Sequence, residues 1–368
     1  MRGRQHITPR RDASTAVRAL ALSAALGLAL AGAARADFAA GWAAYQASNH
    51  AAALQSWLPL ARRGDIDALY NVAVLYESGL GVARDPARAA EWYARAAKRG
   101  LAQAQFALGL AYETGSGVTA NDGEAAIWYR RAAEQKLARA QYNLGRLHYE
   151  GLGVPKDLAL AAEWFQRAAR AGFAPAQNNL GYMHERGIHL RASAKDAAAW
   201  YRKAAEQGLA TAQTNLGIML NFGLGVARDD AQAARWYRDA ARQGDAQAQS
   251  RLAFLLANGQ GVERDLAEAY AWLTLAVEGA AATTGEHRAR LAARLDPYQL
   301  AAAERRAAEL RQQLAATKEP PRRALPRQTA KFGNARVTAQ RRLVTLGLYG
   351  GGLSASAPGS AHRRAAPC

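Results

Sequence analysis

Cysteine is almost missing from this chain: Cys368 is the only one in 368 residues. A single thiol excludes an internal disulfide and a cysteine metal cluster, so packing must hold the fold. Convincing strand patterns are missing too, and with them the strand-anchored phosphate loop, the dinucleotide fingerprint and the G-x-S-x-G elbow. Ser-x-x-Lys does not occur, which removes a penicillin-recognising serine mechanism. Lysine supplies only seven of the 48 basic residues while alanine is abundant. That composition suggests a GC-rich coding sequence and leaves the arginine excess with little chemical meaning.

The formal net charge of +18 sits mostly at the two ends. Residues 1–36 carry +5 and residues 317–368 carry +9, which leaves +4 on the 280 residues between them. A nearly balanced body argues against nucleic acid as the partner. Arg2, Arg4, Arg10, Arg11 and Arg18 precede an apolar run from Ala19 to Ala31, and Ala34 and Ala36 are the small residues a signal peptidase reads. The expectation is a removable export signal over residues 1–36, cut before Asp37. No transmembrane segment is expected after cleavage, since the apolar run is shorter than the roughly 20 residues a span needs. The expected location is the periplasm, with secretion as the alternative.

What the chain has in quantity is repetition. The word GLGVARD begins at Gly79 and again at Gly223, 144 residues later. Trp57, Trp92, Trp128, Trp164, Trp200, Trp236 and Trp272 advance by 36 residues at every step after the first, and the glycine that opens the word keeps that beat. A fixed period of this length marks a repeat array. In residues 101–136, Ala104, Leu108, Ala111 and Tyr112 recur at helical spacing, TGSGV ends that helix, and a second helix from about Asp122 carries Ala125, Trp128, Tyr129 and Ala132. Gly115 suits the left-handed position past a helix end. Alanines at positions 125 and 132 leave room for a facing helix, and the tryptophan is expected to fill the groove between units.

The pattern A-Q-x-x-L-G-x-x-Y-x-x-G-x-G-V followed by D-x-x-x-A-x-x-W-Y-x-x-A-A-x-x-G resembles the Sel-1-like repeat, a relative of the tetratricopeptide repeat. AQFALGLAYETGSGV and AQYNLGRLHYEGLGV match its first half, AAEWYARAAKRG and AAEWFQRAARAG its second. The resemblance implies an all-α fold, a right-handed α/α superhelical solenoid of helix-turn-helix repeats, and an adaptor that holds partner proteins. It divides the chain into an N-terminal capping pair (37–64), six 36-residue repeats (65–280) and C-terminal capping helices (281–316), followed by a basic tail expected to be disordered (317–368). Two departures stand out: His189 replaces the second turn glycine, so that turn is expected to be locally altered, and Lys136 stands where other repeats end in glycine.

No enzyme, cofactor or metal site emerges. HERGIH resembles a zinc motif, but His184 and His189 are five apart with Gly187 between them, and His148 shares the slot of His184, which favours packing. The sequence-level candidate for partner binding is the stripe of the first helices opposite Ala68, Val72 and Leu75. It comprises Tyr70, Phe106 and Tyr142, then Arg146, Tyr182 and Phe254, and an amide ladder of Asn71, Asn143, Asn179 and Asn215. Standing on a concave surface, these residues would take a protein or peptide. Two readings are open for the amides, which can bond a bound backbone or tie neighbouring repeats together. The expected function is a non-catalytic scaffold or regulator in the bacterial cell envelope. The alternatives are an assembly factor for cell-wall glycan or exopolysaccharide, with the basic segment touching anionic polymer or lipid, and a secreted effector.

Overall fold

The computed structural model describes residues 37–279 and 284–317. The expected export signal and, but for Thr317, the basic C-terminal segment lie outside the described residues. The described chain is helical and contains no strand. It forms two compact units, one ending at Ala120 and one starting at Asn121.

The first unit holds α1 (37–46), α2 (His50–Arg63), α3 (Ile66–Ser78), α4 (Pro86–Lys98) and α5 (Ala102–Thr114). In the second, α6 (Asp122–Glu134), α7 (Ala138–Glu150), α8 (Leu158–Arg170), α9 (Ala174–Arg186), α10 (Ala194–Glu206), α11 (Ala210–Phe222), α12 (Asp230–Ala241), α13 (Ala246–Asn258) and α14 (Leu266–Glu278) follow one another. Within each unit consecutive helices pack, and α15 (Thr284–Ala292) and α16 (Pro297–Thr317) close the second unit against α14. The fold is an all-α solenoid of helix-turn-helix repeats. No described helix is long and apolar enough to cross a membrane.

Each second helix starts the same way. Asp85, Asn121, Asp157, Ser193, Asp229 and Asp265 accept the backbone N–H three residues on, satisfying a donor that the helix leaves orphaned. The cap of α6 is Asn121, and the helix itself starts at Asp122, as the spacing suggested. Each first helix of a repeat ends at a left-handed glycine, from Gly79 to Gly259. The second turn glycine does something more. A β-carbon on Gly117 would lie 2.1 Å from the Pro86 carbonyl oxygen, and one on Gly225 would lie 2.2 Å from the Ala194 carbonyl carbon. The turn rests directly on the first residues of the preceding second helix.

His189 occupies that slot with φ 58°, so its turn keeps the left-handed backbone of its counterparts. The left-handed backbone is kept, and the histidine bears its conformational cost. Replacing His189 with glycine is expected to stabilise the chain by about 1 kcal/mol, read as a higher urea midpoint at unchanged slope. No gain would mean that the imidazole makes a compensating contact. Lys136 likewise adopts φ 65°. Its counterparts Gly100, Gly172, Gly208 and Gly244 have open space around them, so only conformation, and not clash, opposes a side chain there.

The core corrects one expectation in part. Tyr93, Tyr129, Phe165, Tyr201 and Tyr237, each immediately after a tryptophan, are buried to 2% exposure or less, whereas the tryptophans before them vary: Trp128 and Trp164 are buried, and Trp92, Trp200 and Trp236 are half-buried at the flank. A tryptophan and its neighbour sit about 100° apart on the helix, and it is the neighbour that points between the helices. Trp57 looks out of step because it shares the register of the deep ring; it is fully buried and donates its indole N–H to the Phe38 carbonyl at 3.2 Å. The first helices make room for the deep ring with a mid-helix glycine. β-Carbons on Gly145, Gly181 and Gly217 would approach the rings of Phe165, Tyr201 and Tyr237 to 2.9, 2.8 and 2.6 Å. Tyr93 and Tyr201 donate their hydroxyls to Glu77 and Glu185 at 2.6 and 2.7 Å. Burial above all, with those carboxylates adding to it, raises both phenol pKa values well above the usual range.

The glutamine of each A-Q pair has an equally specific task. Gln105, Gln141, Gln177, Gln213 and Gln249 are buried and donate Nε2–H to the carbonyls of Ala97, Ala133, Ala169, Ala205 and Ala241 at 3.1 to 3.3 Å. Each acceptor belongs to the last turn of the preceding second helix, where carbonyls lack helical partners. Gln207 and Gln243 extend the seam by donating to the side-chain oxygens of Gln177 and Gln213.

Candidate partner-binding surface

The structure separates the stripe of the first helices into two layers. Tyr70 and Tyr142 are buried, with Tyr70 against Tyr93 at 5.6 Å between ring centres and Tyr142 between Phe165 at 5.7 Å and Phe173 at 5.3 Å. Asn71 and Asn179 are fully buried. These four side chains are enclosed by the stack, and Phe106 is half-buried. Asn215 is half-buried and donates to Asn178 Oδ1 at 3.0 Å, so this rung ties one first helix to the next. Asn143, also half-buried, occupies the same slot on α7.

One helical step further round lie the residues that reach solvent. Arg146, Tyr182 and Phe254 hold the same position on α7, α9 and α13, and Ile218 holds it on α11. Phe254 is 59% exposed, and Phe222, one turn beyond Ile218, is 58% exposed. Arg251 on α13 places its guanidinium 5.7 Å from the centre of the Phe222 ring, which makes the faces of α11 and α13 continuous. Arg186 stands 5.7 Å from the Tyr182 ring centre. Arg146 pairs with Glu150 at 3.0 Å. Phe222, Arg186 and Arg251 were not among the sequence candidates. Their signal was available, since Arg186 and Phe222 lie one turn after Tyr182 and Ile218, and Arg251 lies one turn before Phe254.

The surface is therefore an apolar patch of Tyr182, Ile218, Phe222 and Phe254. Arg139, Arg146, Arg186 and Arg251 surround it on the same helix faces, and Glu150 is the acid among them. Burial raises the phenol pKa of Tyr149 on α7, helped by Tyr182 and Glu150. The histidines serve the turns: His148 Nδ1 lies 3.4 Å from the Pro155 carbonyl, and His184 Nδ1 lies at the same distance from that of Arg191. Among the described residues no cluster of three or more histidine, cysteine or acidic side chains could hold a metal ion.

Six consecutive segments, 66–101, 102–137, 138–173, 174–209, 210–245 and 246–280, each match the Sel1 repeat. The chain belongs to the Sel1 repeat family. Among solved structures, a Sel1 repeat protein from Oxalobacter formigenes is 32% identical, with 65% of this chain and 96% of that one covered and a TM-score of 0.60. The protein c5321, a protective antigen of uropathogenic Escherichia coli strains displaying an SLR fold, is 28% identical, with 81% and 73% covered and a TM-score of 0.53. No curated protein matches the chain. As a Sel1 repeat solenoid, the chain has the architecture of a protein-interaction scaffold.

Proposed function

We propose that this Sel1 repeat protein is a non-catalytic scaffold of the bacterial cell envelope that holds a partner polypeptide on the solvent-facing side of α7, α9, α11 and α13. The observation that carries the reading is the pair of exposed rings, Phe222 at 58% and Phe254 at 59%, on α11 and α13, whose other large apolar side chains are buried or half-buried. Exposed rings beside arginines are what binding hot spots use. Four guanidinium groups against one carboxylate on this face select a partner segment that is apolar and acidic. The envelope location rests on the export signal read from residues 1–36.

The test is capture from an envelope extract with the full chain and with the Phe222→Ser/Phe254→Ser variant. Recovery of the partner is expected to fall about tenfold or more. The thermal midpoint stays unchanged, because both rings lie outside the core. Equal recovery by the two proteins would overturn the proposal. Binding to this face also survives removal of residues 318–368. Binding that disappears with that segment and with moderate salt would favour contact with an anionic polymer instead.

A further inference from the structure

The flank tryptophans carry a pattern of their own. In four repeats the residue three positions after the tryptophan is a cation that covers the indole: Arg95 over Trp92 at 4.4 Å, Arg131 over Trp128 at 4.4 Å, Arg167 over Trp164 at 4.5 Å and Lys203 over Trp200 at 4.1 Å. The i,i+3 relation stacks the two side chains on the helix surface, and the ring quadrupole attracts the charge. In the fifth repeat the cation is replaced by its opposite. Asp239 stands three residues after Trp236, and among the described residues no arginine or lysine lies over this indole. Trp236 is half-buried and borders an open hollow of about 340 Å³ together with Gln232, Arg235 and Asp239. Trp272 offers no equivalent, because it is buried and its N–H is taken by Glu268.

We propose that Trp236 and Asp239 form a receptor for an arginine side chain supplied by another polypeptide. The four covered indoles show where such a group sits, about a ring's thickness above the aromatic plane. At Trp236 that position is vacated by the chain's own side chain and is flanked by a carboxylate. A guanidinium suits both parts, lying flat on the indole while its N–H edge meets Asp239. Arg235 also lines the hollow and opposes a second cation, although it lies within electrostatic reach of Asp229. The site is separate from the first-helix surface and does not depend on the function proposed for it.

The probe is N-acetyl-argininamide, titrated into the full chain while the tryptophan indole N–H signals are followed by NMR, with Trp236→Phe identifying its own signal. The Trp236 signal is expected to shift saturably, and the neutral citrulline analogue to leave it in place. Asp239→Asn weakens the response about threefold and Arg235→Gln strengthens it by a similar factor. Asp239→Arg, which rebuilds the internal lid, abolishes it. Unchanged signals from the other indoles show that each variant is folded. The proposal fails if Trp236 does not respond, responds equally to the citrulline analogue, or still responds in Asp239→Arg.

Discussion

Replacing Tyr201 with alanine is expected to lower the unfolding free energy by about 3–5 kcal/mol, whereas Trp200→Ala costs about 1–2 kcal/mol. Tyr201 is fully buried between α9 and α10, touches the space left by Gly181, and bonds Glu185. Its removal leaves a cavity and strands a carboxylate partner. Trp200 is the larger side chain, but it is half-exposed and its outer face is already covered by Lys203. Denaturant unfolding followed by circular dichroism separates the two. If Trp200→Ala proved the more damaging, the assignment of the deep ring would be wrong.

The second large effect concerns two glycines that look alike in sequence. Gly225→Ala is expected to cost about 3 kcal/mol or more, and Gly208→Ala only about 1 kcal/mol. Both have left-handed backbones, with φ 67° and 87°. Only Gly225 lies against another backbone: a β-carbon there would meet the Ala194 carbon at 2.2 Å and the Lys195 nitrogen at 2.4 Å, while nothing lies within 4 Å of one on Gly208. Backbone at the start of α10 cannot swing aside as a side-chain tip can. The same urea series measures both variants, and equal losses would show that conformation alone, without the contact, demands glycine in the turn.

The repeat, its two helices and the glycine stop were legible because a 36-residue period shows every constrained position several times over. Periodicity marks a position as constrained without saying which way it points. Trp200 and Tyr201 recur equally well, so the sequence alone favoured the larger ring as the wedge, and only the packing separates them. The first helices posed the same difficulty. In α3 every residue from Ala68 to Tyr76 is buried, so the helix has no clear polar side and the stripe drawn opposite Val72 began one step too far inward. Tyr70 and Asn71 are enclosed as a result, while Phe254 and Phe222 face solvent. Arg167 illustrates a different loss: its pairing with Glu163 was readable from the four-residue spacing, but its second role as a lid on Trp164 needed the rotamer.

The glutamine ties have a consequence for how the molecule is made. Each spans eight residues of chain, from Gln105 to Ala97 or from Gln213 to Ala205, so every joint closes between segments that are neighbours in time as well as in space. Nothing at these joints waits for a distant part of the polypeptide. Topology of this local kind favours rapid acquisition of structure. A nascent chain can lock each hairpin onto the last as it emerges, growing from the N-terminal end like a zip.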